Sequence, residues 1–234
     1  MSRSYRKFYW SIFQAGSKVR KFDFFRKNPV GNPIKQQAIT GNTGTILIVD
    51  ISGYSQFVKQ SDNSIGAKVI SGLLASIISN NILDFQISEI EGDAILFYKY
   101  GPSQPVELVL VQFEQMLVAF NQQILQLKPT CPQATILSIK MVTHYGMISE
   151  FTVDRFRKIY GQAVVEAHRL LKNHIHSHTY ALVTQEYFLR TQGKNVEQFR
   201  GGSKLCEIYD VGELCYTYFP YDRIDNWYTV LRYK

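Results

Sequence analysis

The apolar run that ends at Asp50 is the feature that most restricts the fold of this chain. Residues 46–49 are consecutive isoleucine, leucine and valine side chains. Side chains alternate between the two faces of a strand, so an uninterrupted apolar run needs cover on both faces. We therefore predict a central strand over Thr45–Asp50, inside a covered sheet, with a carboxylate at its end.

A second acid follows a similar pattern. Strands are predicted over 85–90 and 94–100, with Glu91-Gly92-Asp93 as the tight turn between them. Asp50 and Asp93 are then expected to converge on one edge of the sheet, where two carboxylates can hold Mg²⁺ and a nucleoside triphosphate. Taken singly, Asp50 could instead be a helix N-cap and Asp93 only a turn former.

The rest of the chain alternates helices and strands, as an α/β or α+β sandwich would. We predict helices over 54–60, 64–80, 105–128 and 162–173. Residues 136–144 and 147–153 are predicted to form a hairpin around Gly146, and 180–184 and 205–209 short strands.

Length and composition predict one sizeable domain with an extension. A chain of 234 residues that is 45% hydrophobic can bury a full core without disulfides. The three cysteines are odd in number and lack Cys-x-x-Cys spacing, so neither a disulfide framework nor a zinc site is indicated. A reducing cytoplasm fits this usage best. No apolar run suggests a membrane span or a signal peptide.

The positive charge is concentrated at the N-terminus. Residues 1–35 carry nine Lys/Arg and one acid, a net +8, so the other residues of this +7 chain sum to −1. Aromatic residues alternate with these basic ones. We favour a helix packed on the domain or on a second subunit; contact with an anionic membrane surface, at the inner face, is the alternative. Nucleic acid is the least favoured partner of this segment.

Four motifs resemble those of the class III nucleotidyl cyclases, and more closely an uncharacterised bacterial family of cyclase-like proteins. They are Val49–Ser55, Glu89–Ala94, Thr143–Gly146 and Ile159–Leu170. The resemblance spans residues 43–219, leaving 1–42 as a basic aromatic extension and linker and 220–234 as a tail. It implies an α+β fold with a ferredoxin-like core, a mostly antiparallel sheet and helices packed on it.

The resemblance also implies an activity, the conversion of a nucleoside triphosphate to a 3′,5′-cyclic nucleotide and pyrophosphate. Asp50, Asp93 and the carbonyl of Ile51 would hold two Mg²⁺ or Mn²⁺ ions. The turn formed by Ser52, Gly53, Tyr54 and Ser55 would bind the β- and γ-phosphates.

Three further positions follow from the same resemblance. Glu89 and Lys158 stand where cyclases recognise the base. The pair departs from the familiar adenine and guanine codes, so Glu89 could bind guanine, the site could take a pyrimidine, or the two side chains could simply pair with each other. Arg169 matches the arginine that stabilises charge at the α-phosphate. The family's site is shared by a head-to-tail homodimer, with Glu89, Lys158 and Arg169 supplied by the neighbour.

Two departures from the family pattern point to an alternative function. Val165 stands where the family has an asparagine, and the turn Asp210–Glu213 stands where it has a phosphate-binding lysine. A catalytically impaired nucleotide-binding or dimerisation module in bacterial signalling is therefore the second hypothesis.

Two histidine features carry less weight. His174, His176 and His178 could bind a metal but are expected to be solvated, and His144 is expected to be a hydrogen-bonded histidine.

Overall fold

The computed structural model describes residues 41–191 and 201–222. The described strands are β1 Asn42–Ser52, β2 Gln86–Glu91, β3 Ala94–Tyr100, β4 Ser138–Val153, β5 Phe156–Tyr160, β6 Tyr180–Thr184, β7 Ser203–Tyr209 and β8 Gly212–Pro220. The described helices are α1 Tyr54–Gln60, α2 Asn63–Ser79, α3 Val106–Leu127, α4 Gln162–Leu170 and α5 Gln185–Arg190, with a 3-10 helix at Pro132–Ile136.

The strands form one sheet in the order β2-β3-β1-β4-β6-β8-β7, and β5 pairs with β4. Only the β4–β6 pair is parallel among the described pairs, so the sheet is mostly antiparallel. The predicted α+β class with a central mostly antiparallel sheet is confirmed.

Strand β1 is buried on both faces, as its sequence predicted. Leu47 and Val49 belong to a core cluster that includes residues of α2 and α3. Ile46 and Ile48 belong to a second cluster with residues of α4. The helices therefore cover both faces of the sheet, and β1 runs through the middle of the domain.

Helix α3 lies within the predicted range 105–128, where apolar residues recur every three or four positions. Pro105 is the N-cap, and the helix ends at Leu127, just before Pro129, which cannot continue it. Phe113 and Phe120 are fully buried against α2 and the sheet.

The predicted hairpin around Gly146 is wrong, because β4 continues without a turn from Ser138 to Val153. Strand β1 pairs along this segment from Ser52↔Ser138 to Asn42↔Ile148, including Gly44↔Gly146. A Cβ at Gly146 would lie 2.7 Å from the Cβ of Ala163 in α4. The glycine therefore permits close packing of a helix on a strand and does not mark a turn.

The expectation that the cysteines form no disulfide is also wrong. Cys206 and Cys215 are bonded to each other, and Cys131 is buried and free. The two bonded residues lie directly opposite each other on β7 and β8, a register that residue spacing in the sequence does not reveal.

Several predictions fall on residues outside the described ranges. They include the role of residues 1–35 and most of the tail from 220 to 234. In the described part of the chain, no helix combines the length and apolar character needed to cross a membrane.

Candidate functional site

The backbone brings Asp50 and Asp93 to adjacent positions. Asp50 is the register partner of Ala94 on β3, and the amide of Ile51 donates a hydrogen bond to the carbonyl oxygen of Asp93 at 3.2 Å. Burial, and after it the charge of Asp50, raise the pKa of Asp93 from 3.8 to about 6. The charge of Asp50 therefore acts on the Asp93 carboxyl across the end of this strand pair.

Neither acid is explained by its simplest local role alone. Asp50 lies inside β1, and the N-cap of α1 is Gly53, so Asp50 is not a helix cap. Asp93 does follow Gly92, which has a φ of +60° in the β2–β3 turn. Its carboxyl nevertheless lies within electrostatic reach of Asp50.

Lys140 joins this acidic pair, and sequence reasoning missed it. It is the register partner of Asp50 on β4, and its Nζ lies 3.1 Å from Oδ2 of Asp50. No sequence motif marked Lys140; only the alignment of β1 with β4 places it there.

The turn after β1 needs its glycine. Gly53 has a φ of +84°, and a Cβ at this position would lie 2.7 Å from the carbonyl oxygen of Ile136. The amide of Phe57 donates to the carbonyl of Gly53 at 3.0 Å, which starts α1. Ser52 is the last residue of β1 and Tyr54 the first of α1, so Ser52–Ser55 forms a tight strand-to-helix turn directly after the acidic pair.

Glu89 and Lys158 form an ion pair with each other. Glu89 lies on β2 just after an irregularity in the β2–β3 register, and Lys158 lies on β5. This is one of the outcomes expected for these two positions. Their side chains remain 28% and 39% exposed, so a ligand can still reach both.

Arg169 and Asp210 are joined by two hydrogen bonds. Nε and Nη2 of Arg169 each donate to a different carboxylate oxygen of Asp210 at 2.7 Å. Arg169 is in the last turn of α4, and Asp210 is in the turn between β7 and β8. Arg169 therefore partly neutralises the negative charge of the Asp210–Glu213 turn within the same chain.

Val165 lies on α4 one turn before Arg169 and is 43% exposed. It presents an apolar surface at the position where the cyclase resemblance has an asparagine. A valine side chain cannot donate a hydrogen bond to a substrate.

His144 is buried and hydrogen-bonded, as expected. Its Nε2 lies 2.9 Å from Oε2 of Glu166 and its Nδ1 lies 3.0 Å from Oγ1 of Thr184. A carboxylate only accepts, so Nε2 donates to Glu166 and, in the neutral ring, Nδ1 accepts from Thr184. The bond from His144 lowers the pKa of Glu166. The network ties α4 to the sheet.

The alternating histidines do not gather into a metal site. His174, His176 and His178 are exposed, and Nδ1 of His174 pairs with Glu207 at 2.8 Å. Within residues 41–191 and 201–222, no group of three or more His, Cys, Asp or Glu side chains is arranged to hold a metal ion.

The donor set at Asp50 and Asp93 suits a hard divalent cation. Two adjacent carboxylates supply oxygen ligands, which Mg²⁺ and Mn²⁺ prefer. Two carboxylates do not complete a coordination shell, so a bound ion would also need oxygens from a substrate or water. Mg²⁺ usually keeps such ligands, and a triphosphate supplies them.

Sequence comparison finds relatives whose function is not described. Residues 70–180 match a family described as a protein of unknown function (DUF2652). The chain is 33% identical over 119 residues to an uncharacterized protein of Mycobacterium tuberculosis, Rv2561/Rv2562, covering 48% of this chain and 55% of that protein. The chain thus spans about half the length of this curated relative.

Solved cyclase structures share this architecture. The adenylyl cyclase CyaB of P. aeruginosa has a TM-score of 0.57 at 16% identity, covering 80% of this chain and 98% of that one. A guanylyl cyclase domain described as a non-canonical dimer, from the RhoGC fusion protein of Blastocladiella emersonii, has a TM-score of 0.52 at 14% identity, with 76% and 96% coverage. At these identities the likeness shows the fold alone, and the predicted class III cyclase-like fold is confirmed.

Proposed function

We propose that this chain is a class III-like nucleotidyl cyclase. It would convert a nucleoside triphosphate to a 3′,5′-cyclic nucleotide: the ribose 3′-oxygen bonds to the α-phosphorus, the 3′-hydroxyl proton is lost and pyrophosphate leaves. The observation that carries the proposal is the adjacent placement of Asp50 and Asp93, within a cyclase-like fold.

Asp50, Asp93 and the carbonyl of Ile51 are the proposed metal ligands. Bound Mg²⁺ or Mn²⁺, two ions per site, would lower the pKa of the 3′-hydroxyl and neutralise phosphate charge. The effect of the Asp50 charge on the Asp93 carboxyl supports this role, because a cation relieves the repulsion between two nearby carboxylates.

The remaining candidate residues would bind and orient the nucleotide. The backbone of Ser52, Gly53, Tyr54 and Ser55 would bind the β- and γ-phosphates. Glu89 and Lys158 would recognise the base, since together they offer an acceptor and a donor that remain partly exposed. Arg169 would stabilise charge at the α-phosphate.

We further propose a head-to-tail homodimer, with the metal ligands of one subunit facing Glu89, Lys158 and Arg169 of the other. One structural neighbour is described as a non-canonical dimer, which supports a dimer in general; the head-to-tail arrangement is implied by the cyclase resemblance. Residues 43–219 would be the catalytic domain. The Cys206–Cys215 disulfide removes the cysteine-based argument for a reducing cytoplasm, so that location is not part of the proposal. Residues 1–42 would be an extension whose first 35 residues could contact the inner membrane surface, and 220–234 a tail.

The test is product formation from each of ATP, GTP, CTP and UTP with Mn²⁺, measured by mass spectrometry. A cyclic nucleotide and pyrophosphate from one of them, absent with Asp50→Ala, is expected. Asp154→Asn serves as the matched control, because Asp154 lies in the β4–β5 turn, outside the proposed site. Equal product from wild type and Asp50→Ala would refute the proposal.

A second candidate function is nucleotide binding or dimerisation without turnover. The exposed Val165 and the engagement of Arg169 by Asp210 favour it. Losing one catalytic hydrogen-bond donor costs on the order of 10² to 10³ in rate. Thermal stabilisation by a triphosphate with no product from any of the four nucleotides would select this function.

A further inference from the structure

Lys140 is held at the acidic pair by the fold itself. It faces Asp50 across the β1–β4 pairing, with Nζ 3.1 Å from Oδ2. Its Nζ also donates to the carbonyl of Leu171, at the C-terminal end of α4, at 3.4 Å. The Lys140 and Asp50 side chains are only 20% and 18% exposed. The ammonium group is therefore a fixed part of the site, unlike the mobile end of a surface lysine.

The position of this ammonium bears on metal binding. A divalent cation that uses the Asp50 carboxylate must share it with a positive charge already in contact with it. Two cations on one carboxylate repel each other, and the repulsion is stronger where water is largely excluded. For the metal to bind at full strength, the Lys140 ammonium has to move away from Asp50.

We propose that Lys140 is a tethered counter-cation that competes with divalent metal for Asp50. The nucleotide-free protein then binds Mg²⁺ or Mn²⁺ weakly, and Lys140 is the cause of that weakness. This inference rests on the metal-ligand role of Asp50 in the proposed function. It concerns binding of the ion alone and does not depend on turnover.

The test is a titration of the nucleotide-free, full-length protein with Mn²⁺, with free ion followed by its electron paramagnetic resonance signal. Lys140→Met keeps much of the side-chain length and removes the charge. We expect it to bind Mn²⁺ about tenfold or more tightly than wild type. Adding Asp50→Asn to Lys140→Met should abolish the gain, which assigns it to this carboxylate.

The matched control is Lys99→Met. Lys99 also lies on a strand of the sheet, and its Nζ donates to the carbonyl of Leu83 at 2.7 Å. Its replacement should leave Mn²⁺ affinity unchanged. Circular dichroism checks folding, and Lys140→Gln, which keeps a polar end, provides the same test if Lys140→Met does not fold.

Unchanged or weaker Mn²⁺ binding by the folded Lys140 variants would overturn the inference. If the wild type still formed a cyclic product, that result would refute only the inference about Lys140 and leave the cyclase proposal standing. Conversely, tighter Mn²⁺ binding by Lys140→Met, without cyclic product from any variant, would sustain the inference and count against the cyclase proposal.

Discussion

Arg169 donates two parallel hydrogen bonds to Asp210, each 2.7 Å long. This two-bond geometry is among the stronger contacts that an arginine makes. Its Nε and one terminal nitrogen are engaged, so fewer donors remain for a phosphate. In the proposed site, Asp210 would therefore compete with the nucleotide for Arg169, and the β7–β8 turn would weaken nucleotide binding.

Asp210→Asn should strengthen nucleotide use. We expect the KM for the preferred triphosphate to fall several-fold, because Arg169 loses its charged partner. The free energy of unfolding should change by less than about 1 kcal/mol, since the pair is 37% and 61% exposed and solvent screens it. Steady-state kinetics and urea denaturation measure the two effects, with Asp154→Asn as the control. A higher KM would contradict the competition.

The pKa of Asp93 predicts a pH dependence of stability in metal-free buffer. Burial first, and the charge of Asp50 second, raise this pKa to about 6 in the folded protein. The folded state therefore holds the Asp93 proton more tightly than the unfolded chain does. The Asp93 contribution to stability is then largest below pH 4 and is lost as the pH rises to about 6.

Asp93→Asn should remove this dependence. We expect the variant to be more stable than wild type at pH 7.5 by about 1 kcal/mol, after allowing for partial exposure. The gain should vanish at pH 4, where the wild-type carboxyl is largely protonated. Urea denaturation in EDTA at both pH values measures it. The same variant should lose Mn²⁺-dependent activity, which separates the functional role of the carboxylate from its stability cost.

Gly146 should not tolerate a side chain. A Cβ there would meet that of Ala163 at 2.7 Å, so Gly146→Ala is expected to lower the free energy of unfolding by about 1 to 3 kcal/mol. Gly72→Ala is the matched control. It lies inside α2, where the nearest atom to a new Cβ is Nε2 of Gln123 at 4.0 Å. This control should be neutral or stabilising by about 0.5 to 1 kcal/mol.

The two glycines show what local sequence can and cannot indicate. The helix at Gly72 was predicted from a local signal, the apolar residues Val69, Leu73 and Ile77, which are spaced four positions apart. Gly146 was predicted to lie in a hairpin turn, whereas the structure needs a glycine there because α4 packs closely against β4. Contacts between segments distant in sequence leave no such local signal.

The disulfide can be tested by counting alkylated thiols. In denaturant without reductant, the protein should take one iodoacetamide label, on Cys131, and after reduction three. Intact-mass spectrometry gives both counts. Cys131→Ser should give no label before reduction and two after it. Three labels before reduction, in protein purified without a reductant, would show that Cys206 and Cys215 are not bonded.

In the candidate site, too, some residues could be predicted from local sequence and others could not. Asp50 and Asp93 could be predicted from local sequence, because Asp50 directly follows an apolar strand segment and Asp93 directly precedes one. The partners Lys140 and Asp210 could not, because their positions depend on the β1–β4 register and on the docking of α4 against the β7–β8 turn. The Glu89–Lys158 contact was anticipated only as one of several outcomes.

In the proposed dimer, the acidic pair of one subunit and Arg169 of the other act on the same nucleotide. We would test this by mixing Asp93→Ala with Arg169→Ala, each expected to be inactive alone. At random exchange, half of the dimers are mixed and each of these carries one intact site, so about a quarter of wild-type cyclic nucleotide formation should return. An inactive mixture, from proteins shown to exchange subunits and beside an active wild type, would contradict the claim.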